Sequence, residues 1–183
     1  MVWTFAHYRG IPLRLHISMA VILPLIASGL GGQNLYVLIE SIDRSTNELA
    51  LPPLAVGCAI AFGLFLSILG HELGHAVTAQ RRGATVKGIT IMLLGGITQI
   101  ERKGIGTPQD AFRIAIAGPL VNVLIGMAAL LCARVLSTSL DAVLIFAIVG
   151  SANLFIAGFN LIPAFPLDGG RILEAILWRQ LGR

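Results

Sequence analysis

Hydrophobic positions along the 183 residues gather into long blocks, interrupted by short polar breaks. Residues 10–16 alternate apolar and polar side chains, the period of a short strand. Residues 17–30 form an uncharged apolar block that closes on Gly31-Gly32. It is short for a bilayer crossing, which takes about 20 residues, unless residues 13–16 extend it. Residues 33–51 carry Glu40, Asp43, Arg44 and Glu48 and read as a polar loop of net negative charge. Pro52-Pro53 opens the next block, residues 54–80, which holds no charge before Glu72 and is long enough to span. It stops at Arg81-Arg82-Gly83, a basic helix end with a glycine cap.

Residues 85–100 then alternate, are rich in β-branched side chains and contain Gly95-Gly96, which predicts a hairpin or curled strand pair. After a polar connection, Thr107-Pro108 is a helix start with Thr as cap and Pro at the first position. That third long block runs to about residue 136, and a fourth, residues 140–162, ends in a proline-rich turn. Residues 169–181 read as an amphipathic helix too short to span. The pattern predicts an all-α polytopic membrane protein with a small membrane-associated β-sheet. It has about four spanning helices plus a short C-terminal helix, in one domain over residues 1–183 with its core at 53–170.

Composition supports that class. Apolar residues make up 56% of the chain and charged residues 12%, half the charge of a typical soluble domain, and the mean hydropathy is +0.85. The net charge of +4 comes from Lys and Arg scattered at block ends, with no basic run or aromatic-interleaved patch, so nucleic acid is not an expected partner. The same charges give a topology. Residues 81–103 hold five basic side chains, Arg81, Arg82, Lys87, Arg102 and Lys103, against one acid, Glu101, which places this stretch on the cytoplasmic side. The acidic 33–51 region lies opposite, and the N-terminus with Arg9 and Arg14 is cytoplasmic. Trp3, Phe5 and Tyr8 suit an interfacial aromatic belt, and His7 and His16 read as ordinary strand and interface residues. Cys58 and Cys132 sit in apolar blocks and read as small buried residues rather than a disulfide or thiolate site. The N-terminus lacks the pattern of a cleaved secretory signal, so its first apolar block is expected to be a retained anchor.

The chemistry lies at the end of the second long block, in Gly70-His71-Glu72-Leu73-Gly74-His75. On a helix His71 and His75 stand one turn apart on the same face and can bind one cation, with Glu72 beside them as a general base acting on water. The competing reading is a helix end with histidines snorkelling to the interface. His71 precedes Arg81 by ten residues, roughly 15 Å of helix, which is deep for that. Ionisable groups in a membrane helix cost roughly 2–3 kcal/mol each if left facing lipid, and metal binding supplies a reason for the cluster.

A hydrolytic zinc takes a third protein ligand and keeps its fourth position open. Asp110 sits at a helix start, and Asp141 and Glu174 read as ordinary end charges. Asp168 stands at a helix break, Asn160-Leu-Ile-Pro-Ala-Phe-Pro-Leu-Asp-Gly-Gly170. There Pro163 and Pro166 impose extended backbone while Gly169 and Gly170 permit close approach. Such a turn presents a carboxylate to the histidines, or else is simply capped by its Asp. Asn122, in Ala117-Gly118-Pro119-Leu120-Val121-Asn122, either hydrogen-bonds a neighbouring helix or donates to an oxyanion; the residues alone leave both open.

Jointly, H-E-L-G-H, G-P-L-V-N and N-L-I-P-A-F-P-L-D-G, in that order, resemble the site-2 protease family of intramembrane zinc metalloproteases. G-G-I-T-Q-I-E-R is similar to its archaeal and bacterial branch, and the resemblance covers roughly residues 10–175. It implies one Zn2+ per chain on His71, His75 and Asp168, with Glu72 activating water. It also implies that Asn122 binds substrate or stabilises the oxyanion, with Asn160 in a supporting place, and that the strands at Gly95-Gly96 hold an unwound substrate by edge pairing. The implied partners are the lipid bilayer and a single-span membrane protein cut in regulated intramembrane proteolysis. The implied location is a prokaryotic cell membrane, with the active-site opening on the cytoplasmic side. Relatives in this branch commonly carry two further spans and CBS domains after the Asp-Gly-Gly helix, so a minimal member or an excised catalytic core is expected. Two other functions fit the same residues. A membrane metal-ion transporter predicts several ligand sites along a path, and an inactive homologue predicts zinc without cleavage.

Overall fold

The computed structural model describes residues 1–45, 48–92, 95–101 and 105–182. Strands β1 (Val2–Tyr8) and β2 (Ile11–His16) form a hairpin and are followed by helices α1 (Met19–Leu30), α2 (Gln33–Ser41) and α3 (Pro53–Arg81). A second hairpin, β3 (Val86–Met92) and β4 (Gly95–Ile100), leads to α4 (Pro108–Val135), α5 (Leu140–Asn160) and α6 (Asp168–Leu181). Helices α3, α4 and α5 are long and apolar enough to cross a membrane. Helices α1 and α2, bent by 40° at Gly31-Gly32, bring the number to four if counted as one span. The chain is an integral membrane protein of mostly helical fold with one small sheet, as the hydrophobic pattern predicts.

Local sequence accounts for the helix ends. Arg82 caps α3 and is followed by Gly83 at φ +81°, a left-handed position that favours glycine. Thr107 caps α4 by accepting from the Asp110 amide at 3.1 Å, with Pro108 in the first turn. Asp110 in turn stands 3.4 Å from an Arg82 guanidinium nitrogen, tying the α4 start to the α3 end.

The sheet runs β1-β2-β3-β4, antiparallel within each hairpin and parallel between β2 and β3, where Leu13 pairs with Ile89 and Leu15 with Ile91. One face buries Ile11, Leu13, Ile89 and Ile91 against Met19 of α1 and Ala76 of α3, so the sheet is fixed beside the last turns of α3. A separate cluster, Leu35, Ile39, Val56, Ile60, Leu140, Leu144 and Val149, closes the other end of the bundle. Elsewhere Phe62, Leu66, Leu124, Met127, Leu131 and Phe155 point outward, which costs nothing where the surrounding solvent is hydrocarbon.

Four expectations change. Residues 33–51 are not simply a loop, because α2 forms over Gln33–Ser41 and buries Leu35 and Ile39 four positions apart. Residues 13–16 do not lengthen the first helix; they belong to β2, and a further strand, β1, precedes it. Asp141 is no ordinary end charge. It is buried, and its carboxylate accepts from the Ala50 and Leu51 amides at 2.9 and 3.0 Å. Cys58 is exposed on α3 and Cys132 half-buried on α4, so neither sits in a core. Arg102 and Lys103, used in the charge argument, and Leu93 and Leu94 at the β3–β4 turn lie outside the described residues.

Candidate metal centre

Helix α3 positions three polar side chains in its cytoplasm-predicted half. His71, Glu72 and His75 are all buried, and the two imidazoles meet edge to face with ring centroids 4.7 Å apart. The break after α5 brings in the third group. Its chain turns back through Pro163 and Pro166, and Asp168 opens α6 in a buried position. Its Oδ2 stands 3.1 Å from Nε2 of His71 and 3.1 Å from Nε2 of His75, and the two Nε2 atoms are 3.1 Å from each other. These form the group of potential metal ligands found among the described residues.

That triangle fits a divalent cation on its own chemistry. Ligands at tetrahedral angles and bond lengths of 2.0–2.1 Å stand about 3.4 Å apart, close to the separations found. His75 Nδ1–H donates to the Ile114 carbonyl at 2.7 Å, which leaves the Nε2 lone pair facing the triangle; metal-binding histidines are held in this way. Two nitrogens and one carboxylate oxygen are a donor set suited to zinc with one position open. His71 Nδ1 has no hydrogen-bond partner among the described residues.

Helix α4 closes the site with a glycine. A Cβ at Gly118 would collide with His75 Nε2 and lie 2.7 Å from His71 Nε2, so only a residue without a side chain lets α4 approach the imidazoles here. One turn on, Asn122 is fully buried, and neither its amide nitrogen nor its oxygen has a partner among the described residues. Among the described residues Asn122 makes no hydrogen bond to a neighbouring helix.

Strand β4 covers Glu72. Thr98 Oγ1, itself buried, donates to Glu72 Oε2 at 2.6 Å and lies 3.2 Å from the Glu72 carbonyl oxygen. A Cβ at Gly96 would collide with the Glu72 side chain, so the glycine permits close approach to the carboxylate. Gly95, at φ +121°, has open space around it. Asn160 ends α5 with its amide donating to the Ile156 carbonyl at 3.0 Å, and no hydrogen bond joins it to the histidines, Glu72 or Asp168. Sequence reasoning passed over Thr98, whose signal is only a hydroxyl two places from Gly96. It also passed over the buried pair Asn153 and Ser67, joined at 2.8 Å between α5 and α3 one turn before His71. Next to Thr98, a cavity of about 670 Å³ opens between β4, the first turns of α4 and α6, with Ile100, Ile114, Phe165 and Trp178 among its walls.

A buried two-histidine, one-aspartate centre inside a bundle of spanning helices defines a membrane-embedded metalloprotein. Comparison with known proteins gives the class a family. The model for peptidase family M50 matches residues 59–144 and 133–183, and the chain belongs to that family. A protein of Synechocystis sp. that carries a zinc metalloprotease name is 34% identical over 173 residues, covering 94% of this chain and 43% of that protein. A zinc metalloprotease of Methanocaldococcus jannaschii is 33% identical over 174 residues, covering 94% of this chain and 44% of its own length. The chain thus spans less than half the length of these two relatives. Among solved structures, a site-2 protease from Methanocaldococcus jannaschii superposes with a TM-score of 0.67 at 30% identity, over 100% of this chain and 74% of that one.

Proposed function

We propose that this chain is an intramembrane zinc metalloprotease that cuts peptide bonds in single-span membrane proteins, the reaction of regulated intramembrane proteolysis. The observation that carries the reading is the buried triangle of His71, His75 and Asp168 with Glu72 next to it in the same helix. His71, His75 and Asp168 hold one zinc ion, and the core lies within residues 53–170 of a single domain. When bound, zinc supplies Lewis-acid polarisation of the scissile carbonyl and acidifies water.

The remaining work falls to the chain itself. Glu72 accepts the proton of the attacking water and passes it to the departing amine. Asn122, buried and without a partner among the described residues, aims an amide donor at the oxyanion that forms on the substrate carbonyl, where such donors act most strongly in a dry site. A helical amide is shielded and already hydrogen-bonded, so the substrate has to unwind. Strand β4 ends the sheet order and pairs with β3 alone among the described residues, which leaves one edge for an extended peptide. That edge holds Gly95 and Gly96, and the adjoining 670 Å³ cavity gives the unwound segment room. Asn160, whose amide returns to the Ile156 carbonyl at the end of α5, takes a supporting place in substrate binding. The site opens toward the cytoplasm of a prokaryotic cell, the side given by the basic residues after α3.

The test is cleavage of a panel of single-span proteins by the purified chain in proteoliposomes. The reading expects wild type to cut at least one of them within its membrane segment and Glu72→Gln to cut none. Equal cleavage by Glu72→Gln would defeat it.

A further inference from the structure

Glu72 is enclosed by a strand that belongs to a different part of the chain. Gly96 and Thr98 are two residues apart on β4 and so face the same side of the sheet. That side lies on the Glu72 carboxylate. Gly96 leaves no room beyond Glu72 Cγ and Cδ, and Thr98 Oγ1 takes Oε2 at 2.6 Å. A hydroxyl-to-carboxylate bond of that length is charge-assisted and among the stronger hydrogen bonds in a protein. Its donor is stiff, because Thr is β-branched and restricted at χ1. It is also well anchored, since Thr98 stands opposite Ile89, a fully buried residue of β3.

We propose that Thr98 is a positioning residue for Glu72: its hydroxyl fixes one carboxylate oxygen and leaves the other free to take the proton of water. This rests on the proteolytic reading above for what Glu72 does, but not for the contact itself. The same bond ties the base to β4. Because β4 is also an edge strand among the described residues, a peptide paired there is in register with the base through Gly96 and Thr98 rather than through the metal ligands. Thr98 touches none of His71, His75 or Asp168 by any hydrogen bond, so its effect separates from metal binding.

The experiment compares Thr98→Val, which keeps the shape and removes the hydroxyl, with Thr98→Ser, which restores it. Cleavage kinetics, zinc content and an infrared spectrum are measured for each. In the spectrum, protein labelled with carbon-13 glutamate and referenced to Glu72→Gln isolates the Glu72 carboxylate band. Thr98→Val is expected to shift and broaden that band and to lower kcat by about 10- to 100-fold, the worth of one bond to a charged group, with KM and zinc content unchanged. Thr98→Ser is expected to recover most of both losses. An unchanged Glu72 band in Thr98→Val overturns the proposal, as does a loss confined to KM or accompanied by loss of zinc. Should the wild-type chain cleave nothing, the proteolytic reading fails while the infrared comparison still decides the contact.

Discussion

Gly118→Ala adds one methyl group at the point where α4 meets the imidazoles. The new Cβ would stand 2.7 Å from His71 Nε2 and closer still to His75 Nε2, whereas non-bonded heavy atoms are comfortable near 3.5 Å. His75 is held from behind by its bond to the Ile114 carbonyl, so α4 or the rings have to retreat by roughly 1 Å. Overpacking of this kind costs about 1–3 kcal/mol, and the better helix propensity of Ala, worth up to about 1 kcal/mol, offsets only part of it. Displaced ligands cost more in function: zinc affinity falls about 10- to 100-fold, as it does when the support of a ligand is lost. The assay is competition for zinc against a chromophoric chelator in detergent, alongside thermal unfolding. Gly158→Ala is the control, because a Cβ there meets nothing within 4 Å, and it should leave affinity unchanged and stability equal or slightly higher. Wild-type zinc affinity in Gly118→Ala would refute the close approach of α4 to the ligands.

Asp141→Asn weakens the anchor that holds the Ala50 and Leu51 amides and should lower stability by about 1–3 kcal/mol without altering zinc content; an unchanged melting temperature would speak against that anchor. Asn122→Leu removes an amide that has no partner among the described residues. It should leave stability equal or raised while kcat falls about 10²-fold or more, measured by unfolding and cleavage side by side. A fall in stability with kcat intact would mean that the amide is structural.

The three long spans and the helix-borne histidines were legible because both signals are local. Absence of charge over some 20 residues has one physical meaning in a chain this apolar, and a one-turn spacing puts two rings on one face whatever surrounds them. Asp168 stands out as a carboxylate at a proline-rich helix break, but that break equally suits a simple cap, and its place beside the histidines came mainly from the family resemblance. Distant partners were not legible. Asp141 finds its amides some 90 residues earlier, at Ala50 and Leu51, and nothing near it in sequence announces them. Thr98 reaches Glu72 across 26 residues, and parallel pairing of β2 with β3 depends on the intervening helices. Cys58 and Cys132 were misread for another reason: apolar surroundings mean core in water but either core or lipid-facing surface in a bilayer. Helix α2 did carry a signal, Leu35 and Ile39 one turn apart, which the neighbouring charges obscured.

A zinc ion held by His71, His75 and Asp168, and not by Glu72, stands at the centre of the proposed function. Its most direct test is the metal content of purified wild type and of His71→Ala, His75→Ala, Asp168→Ala and Glu72→Gln, together with X-ray absorption at the zinc edge. One zinc per chain is expected in wild type and in Glu72→Gln, with nitrogen and oxygen neighbours at about 2.0–2.2 Å and no sulfur, and loss of the metal from each of the three ligand variants. Full zinc occupancy in Asp168→Ala, or a sulfur neighbour in the wild-type spectrum, would contradict it.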